Sequence, residues 1–473
     1  MRSPTSGVRA MLALFALASP LAFGAGVTVP PYTRVVLPNG TVVVTMLRKE
    51  VPLIAFTALV RGGSVVDPAD KPGVASLAAG LLEKGAGARD AFAFADTVEG
   101  AGGSFTAAAG TEAIMASGQF LAKDQGLMVE LLADALLRPR FDATEFATLR
   151  ARRIEEIKAA KDSDPAGLLR IYGRRFLFGD HPYGSPAGGS ERSLAAISRA
   201  DVLAYYRANF GADRLTLIFA GDLDPQSLTK AVASAFAGAP RAAAPLPALA
   251  QTPRATGRRV LLVDQPGAAQ TYFWLANRGV ARKFADRAPL DVVNTLYGGR
   301  YTSILNTELR IKTGLSYGAS SGFTRGSVPG EFAIRSFTKT ESTGKAIDLA
   351  LGTLERLHEE GVPGDMLGSA RSYVLGQFPL QLETAGNWVA ALAELELYGL
   401  DRTYIENYGP AVEAVTPGDA RRVIAEAFPS AGDLVVVVIG DAAKIRDVVA
   451  KFGPVTEMSL AAPDFRAGPR PST

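Results

Sequence analysis

Apolar residues in the stretch Pro72–Gly85 (PGVASLAAGLLEKG) recur at the spacing of one helical face. Val74, Leu77, Ala78, Leu81 and Leu82 fall at i, i+3, i+4, i+7 and i+8, which predicts an amphipathic helix with one buried stripe. Ser76, Ala79 and Gly80 lie together off that stripe, since positions three and four apart share a face. That face is expected to be a surface of very small side chains. Elsewhere the pattern changes to strands. Arg34–Met46 reads as a hairpin around Pro38-Asn39-Gly40, followed by a strand from Leu53 to Val60. Gly102–Leu121 reads as two further strands around Ala109-Gly110, and Arg259–Val263 and Gln270–Leu275 as two more.

Two segments repeat one another. Arg214–Leu228 (RLTLIFAGDLDPQSL) and Asp433–Ile445 (DLVVVVIGDAAKI) each read as a buried strand, a Gly-Asp turn and the start of a helix. The turn recurs 219 positions apart, at Gly221-Asp222 and Gly440-Asp441. Each half opens with strands, continues with helices and closes with a strand. This predicts a duplicated α+β fold of two similar α/β sandwich domains. The first is assigned to residues 30–237 and the second to 258–460. Residues 238–257 are rich in Pro and Ala without periodicity and read as a linker. The Pro-rich tail, 461–473, is expected to be disordered. Residues 1–24 read as a cleaved signal peptide: Arg2 and Arg9 precede an apolar run, Ala10–Leu21, and Ala22-Phe23-Gly24 offers small residues for cleavage. The expected location is therefore periplasmic or otherwise exported, with no membrane span after signal removal.

Composition removes several function classes. The chain has 473 residues and a net charge of +3, too small to imply a nucleic-acid partner. It contains two histidines, His181 and His358, and no cysteine. A catalytic zinc site needs about three protein ligands from His, Cys, Asp or Glu. The histidines lie 177 positions apart, one in a Gly/Pro loop (GDHPYGSP) and one at a helix end where the dipole favours it. No metal site is expected. Ser76 has no G-x-S-x-G frame and no nearby histidine, so a serine nucleophile is not supported either.

The helix Pro72–Gly85 nevertheless resembles the signature helix of the pitrilysin/insulinase-type zinc metallopeptidases, whose motif is H-x-x-E-H. Gly73, Ala75, Lys84 and Gly85 match its frame, while Ser76 and Gly80 stand at the histidines and Ala79 at the general base. Glu156 stands at the spacing of the third metal ligand, in a helix that closes on Asp164-Pro165. Alone it holds no zinc, and an ion-paired surface residue is its plain reading. The resemblance implies a chain shaped as one half of a clamshell.

A second resemblance runs from Tyr297 to Phe323, where Gly298, Gly299, Ser303, Leu305, Leu309, Arg310, Gly314, Leu315 and Tyr317 match the family's non-catalytic halves; Ile304 departs from their arginine. It implies that Arg310 and Tyr317 act in trans on a partner's zinc site, binding the peptide backbone and its oxyanion. Ser303–Lys312 reads as a helix stopped by Gly314, with Tyr317 beginning a strand. The hairpin Gly102–Leu121 resembles the family's peptide-docking edge, with Thr106-Ala107 at its asparagine-alanine pair. The matching His181-Pro182-Tyr183-Gly184 loop reads as structural.

The expected function is that of a catalytically silent subunit of an exported heterodimeric zinc peptidase. A homologous partner with an intact H-x-x-E-H would carry the zinc, and peptides would be the substrate. No cofactor and no independent activity are expected of this chain. The alternative is a non-enzymatic scaffold or peptide-binding module of the same fold, as the core subunits of the mitochondrial cytochrome bc complex are to the family. An adjacent H-x-x-E-H chain favours the first, and self-association favours the second.

Overall fold

The computed structural model describes residues 26–467, so the expected signal peptide lies outside the described residues. In the first half, β1 (Tyr32–Val36), β2 (Val42–Leu47), β3 (Leu53–Arg61), β4 (Ser104–Ala109), β5 (Ala113–Leu121) and β6 (Leu215–Gly221) form one sheet, in the order β1-β2-β6-β3-β5-β4. In the second half, β7 (Arg259–Asp264), β8 (Gln270–Arg278), β9 (Ala319–Arg325), β10 (Pro329–Lys339), β11 (Val435–Gly440) and β12 (Val455–Ser459) form another, in the order β12-β7-β11-β8-β10-β9. The duplication is exact in topology over five strands. β2 pairs parallel with β6 as β7 does with β11, and β3 pairs antiparallel with β6 as β8 does with β11. Only the sixth strand differs: β1 is the antiparallel hairpin partner of β2, whereas β12 arrives from the C-terminus and runs parallel to β7.

Every residue of β6 and β11 is buried, which explains their unbroken apolar runs: these strands have cover on both faces. One face of each sheet packs on helices of its own half. The other face is covered by a helix from the opposite half. Helix Pro165–Phe178 lies across β8 and β11, placing Leu168, Leu169 and Tyr172 against Trp274, Val437 and Ile439. Reciprocally, helix Ala385–Tyr398 lies across β3 and β6, placing Trp388, Val389 and Leu392 against Ala55, Leu59 and Ile218. The helix and sheet approach so closely at Gly173 that a Cβ there would lie 2.6 Å from the Trp274 ring. The domains assigned from sequence are therefore not self-contained, because each lends a helix to the other.

Polar contacts lock the same seam. Glu112 Oε1, on the turn of the first hairpin, accepts from Tyr183 Oη (2.6 Å) and from the Ser327 amide of the second half (2.9 Å). Fully buried Glu331 accepts from Arg170 Nε and from Thr324 Oγ1, each at 3.0 Å. His181 Nδ1 accepts from the Tyr183 amide at 3.1 Å, and His358 Nε2 lies 3.2 Å from the Pro429 carbonyl.

Two expectations need correction. Residues 238–257 have no regular structure but are not a free tether: His181 Nε2 meets the Ala250 carbonyl at 3.0 Å, Thr252 Oγ1 donates to the Pro329 carbonyl, and the Ala255 amide donates to Asn277 Oδ1. Residues 461–467 of the expected disordered tail are also fixed. Phe465 is buried edge-on against Tyr172, and Lys161 donates to the Ala462 carbonyl, so docking compensates for the proline-rich composition. Among the described residues, no helix is long and apolar enough to cross a membrane.

The two tryptophans of the chain report one on each exchanged interface. The single-tryptophan variants Trp274→Phe and Trp388→Phe are expected to show the same urea midpoint by fluorescence. Gly173→Val should destabilise by about 1–3 kcal/mol through overpacking and lower both midpoints together. Separate midpoints would mean that the halves unfold independently.

Candidate functional site

The vacated helix begins at a carboxylate. Asp67 accepts from the amides of Gly73 (2.7 Å) and Ala75 (3.0 Å), so it satisfies N-terminal donors of helix Val74–Leu81. Gly73 turns at φ 103°, and a Cβ there would lie 2.8 Å from Gly189 Cα, so this turn admits only glycine. Burial pushes the Asp67 carboxyl up to about 7, against the two amide donors that pull it down.

The face expected to be open is filled. Ser76 is half-buried, but Ala79 is fully buried and Gly80 is buried. A Cβ on Gly80 would lie 3.0 Å from Leu149 Cδ2 and 4.0 Å from an Arg153 guanidinium nitrogen. Leu149 and Arg153 of helix Ala143–Ser163 therefore crowd any side chain placed at Gly80. Glu156, on that helix, points to solvent and pairs with Arg153 (2.9 Å) and Arg152 (3.5 Å). Burial raises the Glu83 carboxyl, while Lys84, Arg152 and Arg153 pull it back. Among the described residues no cluster of three His, Cys, Asp or Glu side chains can hold a metal ion. The residues present do not fit zinc: Ser76, Ala79 and Gly80 offer no suitable ligand set, and a guanidinium nitrogen of Arg153 lies beside Gly80. The correction to the sequence reading is that this face is not open surface: Ala79 and Gly80 are buried and Ser76 is half-buried.

Beside this helix runs β4, hydrogen-bonded to a neighbouring strand on one side only. Thr106 is exposed and Ala107 is buried in the core, as the alternation of a strand requires. The open edge has main-chain groups available to an added strand.

The second site centres on Arg310. Ser303 caps a short helix, Ile304–Asn306, through the Asn306 amide (3.3 Å), and the chain then widens into a π-helix, Thr307–Lys312. The expected single α-helix is thus replaced by a form that is rare and frequent at functional sites. Gly314, at φ 64°, ends it as expected. Tyr317 does not begin a strand: β9 starts at Ala319, and Tyr317 stands on the preceding turn, which is fixed by Ser316 N to Leu309 O (3.0 Å) and Ser316 Oγ to Gly318 O (2.8 Å).

The fold brings Arg310 and Tyr317 together, with the guanidinium carbon 5.9 Å from the Tyr317 ring centre. A second ring, Tyr301, lies closer at 5.0 Å. Tyr317 is 79% exposed and Tyr301 61%. Among the described residues no side-chain or backbone oxygen accepts a hydrogen bond from the Arg310 guanidinium, and no carboxylate pairs with it. The nearby acid, Glu308, is taken by Lys312 (2.9 Å) and Arg356 (3.9 Å). A permanent cation with its fork of donors unspent is therefore presented on an exposed aromatic bed. Sequence reasoning missed Asp67, Leu149, Arg153 and Tyr301. Tyr301 gave no periodic signal because it lies on the turn before the Ser303 cap, outside the helix that carries Arg310.

Residues 44–172 match the model of insulinase (peptidase family M16), and residues 196–372 match that of the peptidase M16 inactive domain. The chain belongs to peptidase family M16. It is 29% identical over 392 residues to the uncharacterized zinc protease Rv2782c of Mycobacterium tuberculosis, covering 82% of this chain and 89% of that protein. It is 24% identical over 327 residues to the non-peptidase homolog YmxG of Helicobacter pylori, covering 68% of this chain and 74% of the relative. The crystal structure of a peptidase M16 inactive domain from Pseudomonas fluorescens superposes with a TM-score of 0.81 at 23% identity, over 87% of this chain and 98% of the other. Within family M16 this chain is a catalytically inactive member, with Ser76, Ala79 and Gly80 at the chemical positions of the zinc helix.

Restoring the motif residues is expected not to restore the metal. The folded Ser76→His/Ala79→Glu/Gly80→His protein should retain far less than one zinc per chain after dialysis, by elemental analysis; stoichiometric zinc would show that Leu149 and Arg153 withdraw easily. Asp67 gives a pH signature. Its folded pKa is raised above the unfolded value of 3.8, so its contribution is full below about pH 4 and is lost as pH rises through about 7. Thermal midpoints measured between pH 5 and 8 should fall less steeply in Asp67→Asn than in the parent.

Proposed function

We propose that this chain is the silent subunit of an exported heterodimeric M16 peptidase and donates Arg310 and Tyr317 to its partner's reaction. One observation carries the reading: among the described residues Arg310 has no acceptor and no acid partner, yet it is held against two exposed rings. An unpaired arginine kept in place is suited to an anion that comes and goes.

The chemistry follows from the residue types. A homologous partner with an intact H-x-x-E-H holds the zinc, which supplies the activated water. An extended peptide adds to the open edge of β4 at Thr106-Ala107 through main-chain hydrogen bonds. Arg310 donates to a peptide carbonyl whose oxygen gains negative charge as the bond is attacked, and the Tyr317 hydroxyl donates beside it. Donors already in position stabilise that charge without reorganising. Export through the leader at residues 1–24 would place the complex in the periplasm. A purely scaffolding role is the rival reading, and it leaves the unspent charge of Arg310 without a use.

The test is co-purification from the native cell, identification of the bound H-x-x-E-H chain, and reconstitution. Mixing should raise peptide hydrolysis well above that of either chain alone. Arg310→Ala should cut kcat by roughly 10² to 10³ with the complex intact by size-exclusion chromatography. Parent-rate hydrolysis by the variant complex would refute the donation.

A further inference from the structure

The ring closest to Arg310 is not the one the family resemblance points to. The guanidinium carbon lies 5.0 Å from the centre of Tyr301 and 5.9 Å from that of Tyr317. Tyr301 sits nine positions before Arg310, on the connection between two π-helical segments, Thr295–Gly299 and Thr307–Lys312. Its backbone is held: Asn306 Nδ2 donates to the Tyr301 carbonyl at 2.7 Å, and the Ser303 amide donates to the Arg300 carbonyl at 3.0 Å. Arg300 in turn donates to Ser369 Oγ at 2.9 Å.

The same buried asparagine holds the other wall. Asn306 Oδ1 accepts from the Ala319 amide at 3.1 Å, two residues beyond Tyr317. One amide thus ties together the chain segments that carry both rings, while the rings themselves remain in solvent. A tyrosine that is 61% exposed gains little from burial to hold its ring in place. Among the described residues, the charged group within cation–π reach of its ring is Arg310. Arg310 is half-buried, and an arginine head with no acceptor would otherwise sample several rotamers, so ordering it has an entropic cost.

We propose that Tyr301 is a positioning residue, the second wall of an aromatic clamp that pre-orders Arg310 for the peptide carbonyl. The inference deepens the donation proposed above and rests on it for its role in turnover. The clamp itself is a property of this chain alone. The ring face holds the guanidinium by cation–π attraction, so the hydroxyl of Tyr301 is dispensable and the ring is not. Arg310 is then fixed before substrate arrives, and the gain appears in the chemical step more than in ground-state binding.

Two readouts test it separately. In the isolated chain, the rate at which phenylglyoxal modifies Arg310 is followed by peptide mapping. Tyr301→Ala should speed modification several-fold and Tyr301→Phe should match the parent; equal rates in all three overturn the clamp. In the reconstituted complex, Tyr301→Ala should lower kcat roughly two- to fivefold, the effect of an exposed cation–π contact, with KM little changed and Tyr301→Phe restoring the rate. If Arg310→Ala slows turnover and Tyr301→Ala does not, the positioning role fails while the donation stands. If Arg310→Ala leaves turnover unchanged, the donation fails, and the phenylglyoxal rates still decide the clamp.

Discussion

The outer face of each sheet is apolar and takes its covering helix from the other half. Helix Pro165–Phe178 covers the second sheet and helix Ala385–Tyr398 covers the first. This exchange is the constraint on which the rest of the structure depends. It joins two similar α/β units into one body through packed apolar surface, and fully burying a large apolar side chain contributes about 1.5–3 kcal/mol. The polar seam adds register more than energy. Glu112, Tyr183 and Ser327 set the first hairpin against the second, and Gly326 leaves no room for a side chain, since a Cβ there would meet Tyr183 Oη at 2.1 Å.

The absence of zinc ligands on helix Val74–Leu81 is matched by packing against it. The zinc-motif helix still presents its apolar stripe to the sheet and still takes its N-terminal cap from Asp67. Its former chemical face has joined the core, with Leu149 against Gly80 and Ala79 fully buried. Interiors are packed to crystal-like density, so an unneeded cavity would cost stability. Small residues at Ser76, Ala79 and Gly80 let the neighbouring helix close in. Arg152 and Arg153 meanwhile pair with Glu156, a residue that the motif spacing alone would assign to a metal.

The Arg310 region shows the opposite economy. Among the described residues many arginines have an acid beside them, as Arg402 has Glu406 and Arg422 has Asp286. Arg310 has aromatic faces instead, on a π-helical turn anchored by Asn306. A salt bridge would hold the cation equally well, but it would spend its donors. Aromatic rings hold it and leave the donors free, an arrangement suited to a transient anion.

The duplicated strands, the Gly-Asp turns at Gly221 and Gly440, the amphipathic helix Val74–Leu81 and the missing zinc ligands were all legible in the chain, because each is a local pattern or a count of residue types. The nearness of Arg310 and Tyr317 was also within reach, since one short connection joins them. The exchange of helices was not, because periodicity reports that a face is buried and does not say against what. For the same reason the small-residue face at Gly80 looked like surface: Leu149 lies far along the chain and arrives only by tertiary packing. Tyr301 was hidden because it lies on a turn, where no period links sequence position to direction. The order of residues 461–467 likewise depended on Tyr172 and Lys161, which receive Phe465 only once the two halves have closed on one another.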